Sequence, residues 1–308
     1  MRILISGDWH LRNGGPTQRL DDYEATQSSK VSWIFEKALE LGCSYIVQPG
    51  DLTEYFPYPR MNYERVKLYI QIFNYYKSKG VELMTIRGQH DMPNHKQQDN
   101  TPIAVLAQAP TINILPPSGM YGSIGDVDFY GCSYGEEIPE PVLYKQFRIL
   151  VIHKMISDAD YWEGHVPYAS VQWMLNKCQN FDLIISGDNH KSFHWFGEEK
   201  RGLINCGSLM RSTITQSDHK PHVWLFDTAT YSARQYDIPV FPFNEVFNEQ
   251  EIKEVKQRRE ESDVFVTRLE KGFDSADLDF PKNLRAVMTT LEPGVNELIE
   301  EAFVWTKK

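Results

Sequence analysis

The sequence predicts an α/β fold built on a largely parallel sheet, and three observations carry that prediction. Five short apolar runs read as strands buried on both faces: Ile3-Leu4-Ile5, Tyr45-Ile46-Val47, Leu83-Met84-Thr85-Ile86, Ile149-Leu150-Val151-Ile152 and Leu183-Ile184-Ile185. Stretches with helical spacing of apolar residues separate the first three, so strand and helix alternate. All five runs end in Asp, His or an amide, with glycine in four of the five turns, which is where functional groups collect in an open α/β sheet.

The first run stops at Gly7 and leaves Asp8 and His10 just beyond its end. Leu11 to Asp22, rich in Gly, Pro and polar residues, reads as a loop over that end. Val31, Ile34, Phe35, Ala38 and Leu39 keep helical spacing up to Gly42, a natural C-terminal cap. The second run reaches Gly50-Asp51. After a Pro-rich loop, Phe56 to Pro59, a helix carries Val66, Tyr69, Ile70 and Phe73 on one face and stops at Gly80. The third run delivers Gly88-Gln89-His90-Asp91, and crossovers of this kind are right-handed. The middle changes character: Ile112 to Leu115 and Val127 to Tyr130 read as strands between short Gly and Pro turns, for which antiparallel pairing is expected. The strand ending in His153, a helix around Ser170 to Lys177, and the strand ending in Gly187-Asp188-Asn189-His190 follow. Leu203 to Asn205 leads into Gly207-Ser208, and His222 to Asp227 is expected to pair with Ser232 to Ile238. Two stacked sheets covered by helices accommodate this pattern, and no internal repeat is found.

Pro239 and Pro242 mark a break, so the expected domains are 1–238 and a small C-terminal accessory segment, 239–308. There Glu249 to Glu261 reads as a charged, solvated helix or linker, Asp263 to Leu269 as a strand, and Asn296 to Trp305 as a short amphipathic helix after Pro293-Gly294.

A 41% apolar composition can bury a good core, while a formal net charge of -10 argues against binding polyanions with the whole surface, so any nucleic-acid contact is local. Cys43, Cys132, Cys178 and Cys206 are scattered, with no CxxC pair; this suggests neither a zinc finger nor a disulfide framework but reduced, buried thiols. No apolar run approaches the roughly 20 residues that cross a bilayer, and no export signal is read. The expected location is the cytoplasm, or the host-cell cytoplasm if the protein is phage-encoded, with no membrane partner.

Asp8, His10, Asp51, Gln89, His153, Asp188 and His190 form a mixed carboxylate, imidazole and amide set that suits two divalent cations bridged by one carboxylate. Such a pair orients a phosphate ester, activates water near neutral pH and neutralises charge on the leaving oxygen. A lone Gly-Asp at a strand end is commonplace and usually caps a turn. DxH, then GD, then G-Q-H-D, then a strand-end His, then G-D-N-H, in order and all at strand ends, is not. Trp9, between two of these residues, reads as packing under the site, and His95, His165, His219 and His222 as surface or turn residues.

With these motifs the chain resembles the calcineurin-like metallophosphoesterase superfamily, whose pattern is DxH, GD, GNHD, a strand-end His and GHxH. More narrowly, Gly7-Asp8-Trp9-His10-Leu11 and Gly207-Ser208-Leu209-Met210-Arg211 resemble SbcD-type recombination exonucleases, including small phage relatives. The resemblance covers about residues 1–238. It implies a four-layer α/β/β/α sandwich with a reduced C-terminal cap. It also implies one metal held by Asp8, His10 and His190, a second by Gln89, His153 and Asp188, and Asp51 bridging. His90 would then stabilise the transition state and protonate the leaving oxygen, with Asp91 orienting it.

Two positions depart from the family pattern: Gln89 replaces its asparagine and Asp188 its first GHxH histidine. A carboxylate for an imidazole hardens the second site, so Mn²⁺, or Mg²⁺, is expected over Zn²⁺. Arg12, Arg19, Lys154, Lys191, Arg211 and Lys220 flank the motifs and can grip a phosphate backbone; Arg211, with Ser208 and Lys191, is the expected substrate-binding set. The resemblance further implies DNA as substrate, a coiled-coil SbcC-type ATPase partner docking on the helical end at Leu298, Ile299, Phe303 and Trp305, and a homodimer. Two other readings stay open. One is a phosphodiesterase or phosphatase for nucleotides, small esters or phosphoproteins; the other is a non-catalytic scaffold of the same fold, supported only by Gln89 and Asp188.

Overall fold

A computed structural model describes residues 1–248 apart from 17, 56–59, 94–99, 117–118, 142–146, 159–168, 198–199, 214–215 and 217, and beyond them only 250, 253, 254, 257, 288 and 296. The accessory elements expected at 249–261, 263–269 and 296–305 therefore lie almost wholly outside the described residues, as do His95, His165 and the 56–59 loop. The chain divides into two units, Met1–Phe247 and Asn248–Lys308. The first runs past residue 238 because Val246 and Phe247 are buried, the Leu20 N–H donates to the Val246 carbonyl at 2.9 Å, and Arg19 bridges antiparallel to Phe247.

The first unit is a four-layer α/β/β/α sandwich. Strand β1 (Arg2–Ile5) leads to helix α1 (Tyr23–Glu40), β2 (Tyr45–Gln48), α2 (Tyr63–Ser78), β3 (Glu82–Thr85), α3 (Pro102–Gln108) and β4 (Ile112–Ile114). The second sheet follows with β5 (Gly119–Ile124), β6 (Val127–Cys132) and β7 (Phe147–His153). A small pair, β8 (Ile156–Ser157) and β9 (Ala169–Ser170), then opens α4 (Val171–Lys177). The second sheet continues through β10 (Leu183–Gly187), β11 (Phe193–Phe196) and β12 (Gly202–Asn205); β13 (His222–Asp227) and β14 (Ser232–Asp237) return to the first, and α5 (Phe243–Val246) ends the unit. The orders are β14-β13-β1-β2-β3-β4 and β11-β12-β10-β7-β6-β5.

Alternation along each strand sorts side chains between layers. Leu4, Ile46 and Leu83 join α1 and α2 in the outer core, while Ile3, Ile5, Val47 and Met84 meet Ile149, Val151, Leu183 and Ile185 between the sheets. Leu150, Ile152 and Ile184 pack on Met174 and Leu175 of α4. Each such strand is buried on both faces, hence the unbroken apolar runs. Side-chain caps start the helices: Asp22 accepts from the Ala25 N–H, Asn62 from Arg65, and Ser170 from Trp173. The first turns of α1 are polar, so its apolar spacing shows only from Val31.

Two expectations are overturned, the first of them a strand pairing. Ile112 to Leu115 and Val127 to Tyr130 are not partners: β4 extends the first sheet parallel to β3, and β6 lies in the second, antiparallel to β5 and parallel to β7. The connection through β5 crosses between sheets, and Gly119–Ile124, with its Gly122 bulge, has no alternation that would reveal it. His222 is also buried rather than on the surface, and His219 is half-buried, holding the Ser208 carbonyl at 2.6 Å. Trp9 is fully buried against Phe35 and Phe73, with its indole N–H on Ser6 Oγ at 2.8 Å.

Lys30 of α1 is buried, with Nζ on the Leu209 carbonyl at 3.0 Å. Burial, and then Arg19 and Arg211 nearby, depress its pKa to about 7. Between that value and the ordinary lysine range the unfolded chain binds a proton that the folded chain does not, so this residue's contribution to stability falls as pH drops from about 10 to 7. Lys30→Met is expected to flatten the rise in urea-unfolding free energy over that window by up to about 1.4 kcal/mol per pH unit. An unchanged slope would show that Lys30 stays protonated.

Candidate metal centre

Five of the parallel strands of the two sheets end on one rim, and each of these endings supplies part of the site. After β1 come Asp8 and His10; after β2, Asp51 and Glu54; after β3, Gln89 and His90; at the end of β7, His153; and after β10, Asp188 and His190. Backbone hydrogen bonds knit the turns. Asp8 N–H donates to the Gly207 carbonyl at 3.0 Å, the Trp9 and His10 N–H groups both donate to the Asp51 carbonyl, and Leu209 N–H donates to that of Asp8. Buried Gln48 staples the same corner, donating to the Gly7 carbonyl and accepting from Gly50 N–H and Thr85 Oγ1.

His10, Asp51 and Asp188 hold φ of +47°, +51° and +82°, the left-handed region that side chains seldom enter. Glycine is required where the turns pass under the imidazoles: a Cβ on Gly50, whose φ is +94°, would lie 2.6 Å from His153 Nδ1, and one on Gly187 2.6 Å from Asp8 Oδ1.

The side chains converge. His10 and His190 bring their Nε2 atoms to 3.0 Å, and Asp8, His10 and His190 offer ligand atoms all within 4.8 Å of one another. Asp51, fully buried, places Oδ2 3.7 Å from His10 Nε2 and 3.4 Å from His153 Nε2, between the two expected ligand sets. His153 Nδ1 is 2.7 Å from the Pro49 carbonyl, so that nitrogen carries the proton and Nε2 faces the site. Gln89 donates Nε2–H to Asp188 Oδ1 at 2.7 Å, which turns its own Oε1 inward, and Asp188 N–H donates to Asp8 Oδ2 at 3.0 Å.

Four buried atoms of this set have no hydrogen-bond partner: Asp8 Oδ1, Asp51 Oδ2, Gln89 Oε1 and His153 Nε2. Three oxygens and an imidazole nitrogen, desolvated and without a hydrogen bond, are costly unless positive charge satisfies them. The electrostatics agree. Burial pushes Asp8 up to about 7, and burial, with His10 beside it, pulls His190 down to about 3. Burial also opposes the charged forms of His10, Asp51 and His153, but it is outweighed: the Glu54 hydrogen bond and then Asp51 lift His10 to about 9, and the attraction between Asp51 and His153 lifts His153 to about 10 and holds Asp51 well below the usual carboxylate range. A pocket that draws protons onto its imidazoles draws divalent cations in their place.

Glu54 escaped the sequence reading. It is buried, with Oε2 3.0 Å from His10 Nδ1 and Oε1 2.7 Å from His90 Nδ1. Its one signal was an acidic residue three positions past the strand-end Asp51, in a stretch otherwise apolar or hydroxylic. This corrects the role expected of Asp91, whose carboxylate accepts from Leu52 N–H, Thr53 N–H, Thr53 Oγ–H and Gly88 N–H and does not reach His90. Asp91 holds the turns together, and Glu54 orients His90, whose pKa rises against the effect of burial because of the Glu54 hydrogen bond and then Asp51.

The substrate-binding set is also corrected in part. Arg211 is buried and donates Nε–H to the His219 carbonyl at 2.8 Å and an Nη–H to that of Phe241 at 3.1 Å, so it braces the loop rather than facing a substrate. Ser208 is buried too, bonded to the Met210 carbonyl and Gln216. Lys191 is exposed on the turn after His190.

A sandwich with this rim of Asp and His is the scaffold of a metal-dependent phosphoesterase. The calcineurin-like phosphoesterase family model matches residues 1–192, and the chain belongs to that family. The TT1561 protein of Thermus thermophilus is similar in structure at a TM-score of 0.48 and 14% identity, covering 77% of this chain and 99% of that one. A dimetal phosphatase from Danio rerio is similar at a TM-score of 0.43 and 10% identity, covering 77% of this chain and 98% of that one. No curated protein matches. Among the described residues no helix is long and apolar enough to cross a membrane.

Glu54→Gln is expected to weaken Mn²⁺ binding about 10- to 100-fold in calorimetric titration and to lower the pKa of His90 followed by NMR. Asp91→Asn is expected to lower the thermal midpoint instead; if it depresses the His90 pKa as much as Glu54→Gln does, Asp91 is the orienting group after all.

Proposed function

We propose that the protein is a metal-dependent phosphodiesterase acting on DNA, an SbcD-type exonuclease or endonuclease of repair, recombination or replication. The observation that carries the metal-dependent reading is the set of four buried ligand atoms without a hydrogen bond on Asp8, Asp51, Gln89 and His153, each on a different strand end. Support for a polynucleotide comes from Lys154 and Lys191, both exposed, each immediately after a ligand histidine.

When bound, two divalent cations supply an activated water and offset charge on the phosphate. Asp8, His10 and His190 would hold the first, Gln89, His153 and Asp188 the second, with Asp51 between them. His90 is the acid: Glu54 accepts a 2.7 Å hydrogen bond from its Nδ1–H, which favours imidazolium and leaves Nε2–H to be given to the leaving oxygen. Its backbone N–H donates to Asp51 Oδ1 at 2.8 Å, which fixes the position of the His90 backbone against the carboxylate that would lie between the cations.

Cleavage of end-labelled DNA is expected with Mn²⁺, to vanish in EDTA and to fall about 10²- to 10⁴-fold in His90→Ala. Intact protein that binds Mn²⁺ and hydrolyses a small diester but leaves single- and double-stranded DNA uncut would replace the nuclease reading with that of a nucleotide or small-ester hydrolase. The Gln89–Asp188 pair makes the second site rich in oxygen, which favours Mn²⁺ or Mg²⁺. Converting it to the family pattern, Gln89→Asn with Asp188→His, is expected to shift preference toward Zn²⁺ in competition titrations; an unchanged Mn²⁺ to Zn²⁺ ratio would remove the pair from metal selection.

A further inference from the structure

The second sheet carries a cavity that the metal centre does not use. Its volume is about 310 Å³, and its walls include Ser157 and Asp158 from the end of β8, Ser170 and Gln172 from the start of α4, and His194 and Trp195 from β11. β11 is the edge strand of its sheet, and its side chains alternate. His194 and Phe196 face Trp224, at ring-centroid distances of 4.7 and 6.3 Å. Phe193 packs with Met174 and Leu175 of α4, so Trp195 stands on the α4 side, 37% exposed. Its indole rests over Gly197, where a Cβ would lie 2.3 Å from Cη2; glycine there leaves the ring its place. A positioned, part-exposed indole beside a carboxylate, an amide and hydroxyls fits a flat heteroaromatic ligand with donors and acceptors on its rim.

The cavity is joined to the metal centre by two short connections. One wall follows His153, which ends β7 just before β8, and the other follows His190, just before β11. Buried Asn189 ties the two, donating Nδ2–H to the Ile156 carbonyl at 2.8 Å. Each connection carries one exposed lysine, Lys154 and Lys191. A phosphate chain leaving the centre along either would meet positive charge first and an aromatic platform next, the pairing that single-stranded nucleic acids require.

We propose that this cavity is a subsite for one nucleobase of a single-stranded polynucleotide whose phosphate occupies the metal centre, an inference that rests on the nuclease reading above. Trp195 stacks on the base, and Asp158 and Gln172 meet its edge.

The test is fluorescence anisotropy of the full-length protein with Mn²⁺ bound, with labelled cleavage-resistant phosphorothioate oligothymidylate and with an abasic phosphorothioate oligomer of the same length and charge. Intact protein is expected to bind the base-bearing strand more tightly. Trp195→Ala should erase that preference, weakening oligothymidylate binding about tenfold while leaving the abasic strand unaffected. Trp195→Phe should restore most of it, and circular dichroism melts confirm that the variants fold. Lys154→Ala with Lys191→Ala should weaken both strands alike. Trp173→Ala, which removes a 48%-exposed indole of α4 that does not line the cavity, should leave the preference in place. If Trp195→Ala keeps the full preference, the subsite is overturned and the nuclease reading stands. If intact protein binds neither strand, the polynucleotide reading fails and this inference fails with it.

Discussion

The buried negative charge of Asp51 is the constraint on which the rest of the centre depends. Its carboxylate has no exposure and stands within 3.7 Å of His10 Nε2 and 3.4 Å of His153 Nε2, histidines that come from different sheets. A bare carboxylate in that position would be prohibitively desolvated; it persists because positive charge surrounds it, as imidazolium or as bound cation. Its backbone is equally committed, since the carbonyl takes the N–H groups of Trp9 and His10 while φ stays at +51°. A strained residue is tolerated here because the turns after β1, β2 and β3 over-determine it.

The two sheets are therefore held in register at the site by more than their shared apolar core. Asp8 pairs in a parallel bridge with Ser208, linking the first strand end to the turn after β12, and Asn205 secures that turn by donating to the Asn189 carbonyl and accepting from Gly207 N–H. Lys30, Arg19 and Arg211 brace the following loop through the carbonyls of Leu209, Arg211, His219 and Phe241. Cations that look like phosphate-binding groups in a sequence are here satisfied by backbone oxygens. Among the described residues, the exposed side chains of Lys154 and Lys191, which follow His153 and His190, make no such carbonyl contact.

What could be read from the residues alone follows from period and position. Buried parallel strands leave apolar runs, their ends are marked by Gly, Asp and His, and so the alternation, the four layers and the residues brought to the rim were legible. Pairing partners were not. Nothing local distinguishes Ile112 to Ile114 as a parallel edge of the first sheet from an antiparallel partner of Val127 to Tyr130, because the choice is made by a crossover between layers. Roles within the cluster were legible only where one residue type can do one thing. Two carboxylates are candidates to orient His90, Asp91 adjacent in sequence and Glu54 on the turn after the neighbouring strand, and adjacency misleads. In the turn Gln89–Asp91 the Asp91 side chain points back to Gly88, Leu52 and Thr53, leaving His90 to Glu54.

The two departures from the family's motif pattern are one departure in space. Gln89 and Asp188 are ninety-nine positions apart and hydrogen-bonded at 2.7 Å. An asparagine could not carry its amide as far, and an imidazole opposite Gln89 would take the room and offer a ring nitrogen where a carboxylate now accepts. Taken singly, either change reads as damage to a ligand set. Taken together, the longer amide reaches the shorter acid, the donated N–H fixes which end of Gln89 faces inward, and its Oε1 joins Asp51 Oδ2 and His153 Nε2 as a buried atom without a hydrogen bond, open to a cation. On the ligand assignment proposed above, the exchange keeps the number of ligands while raising their negative charge and oxygen content. That is the direction in which a site moves toward harder cations, and it is why the pair argues for a retuned centre rather than a lost one.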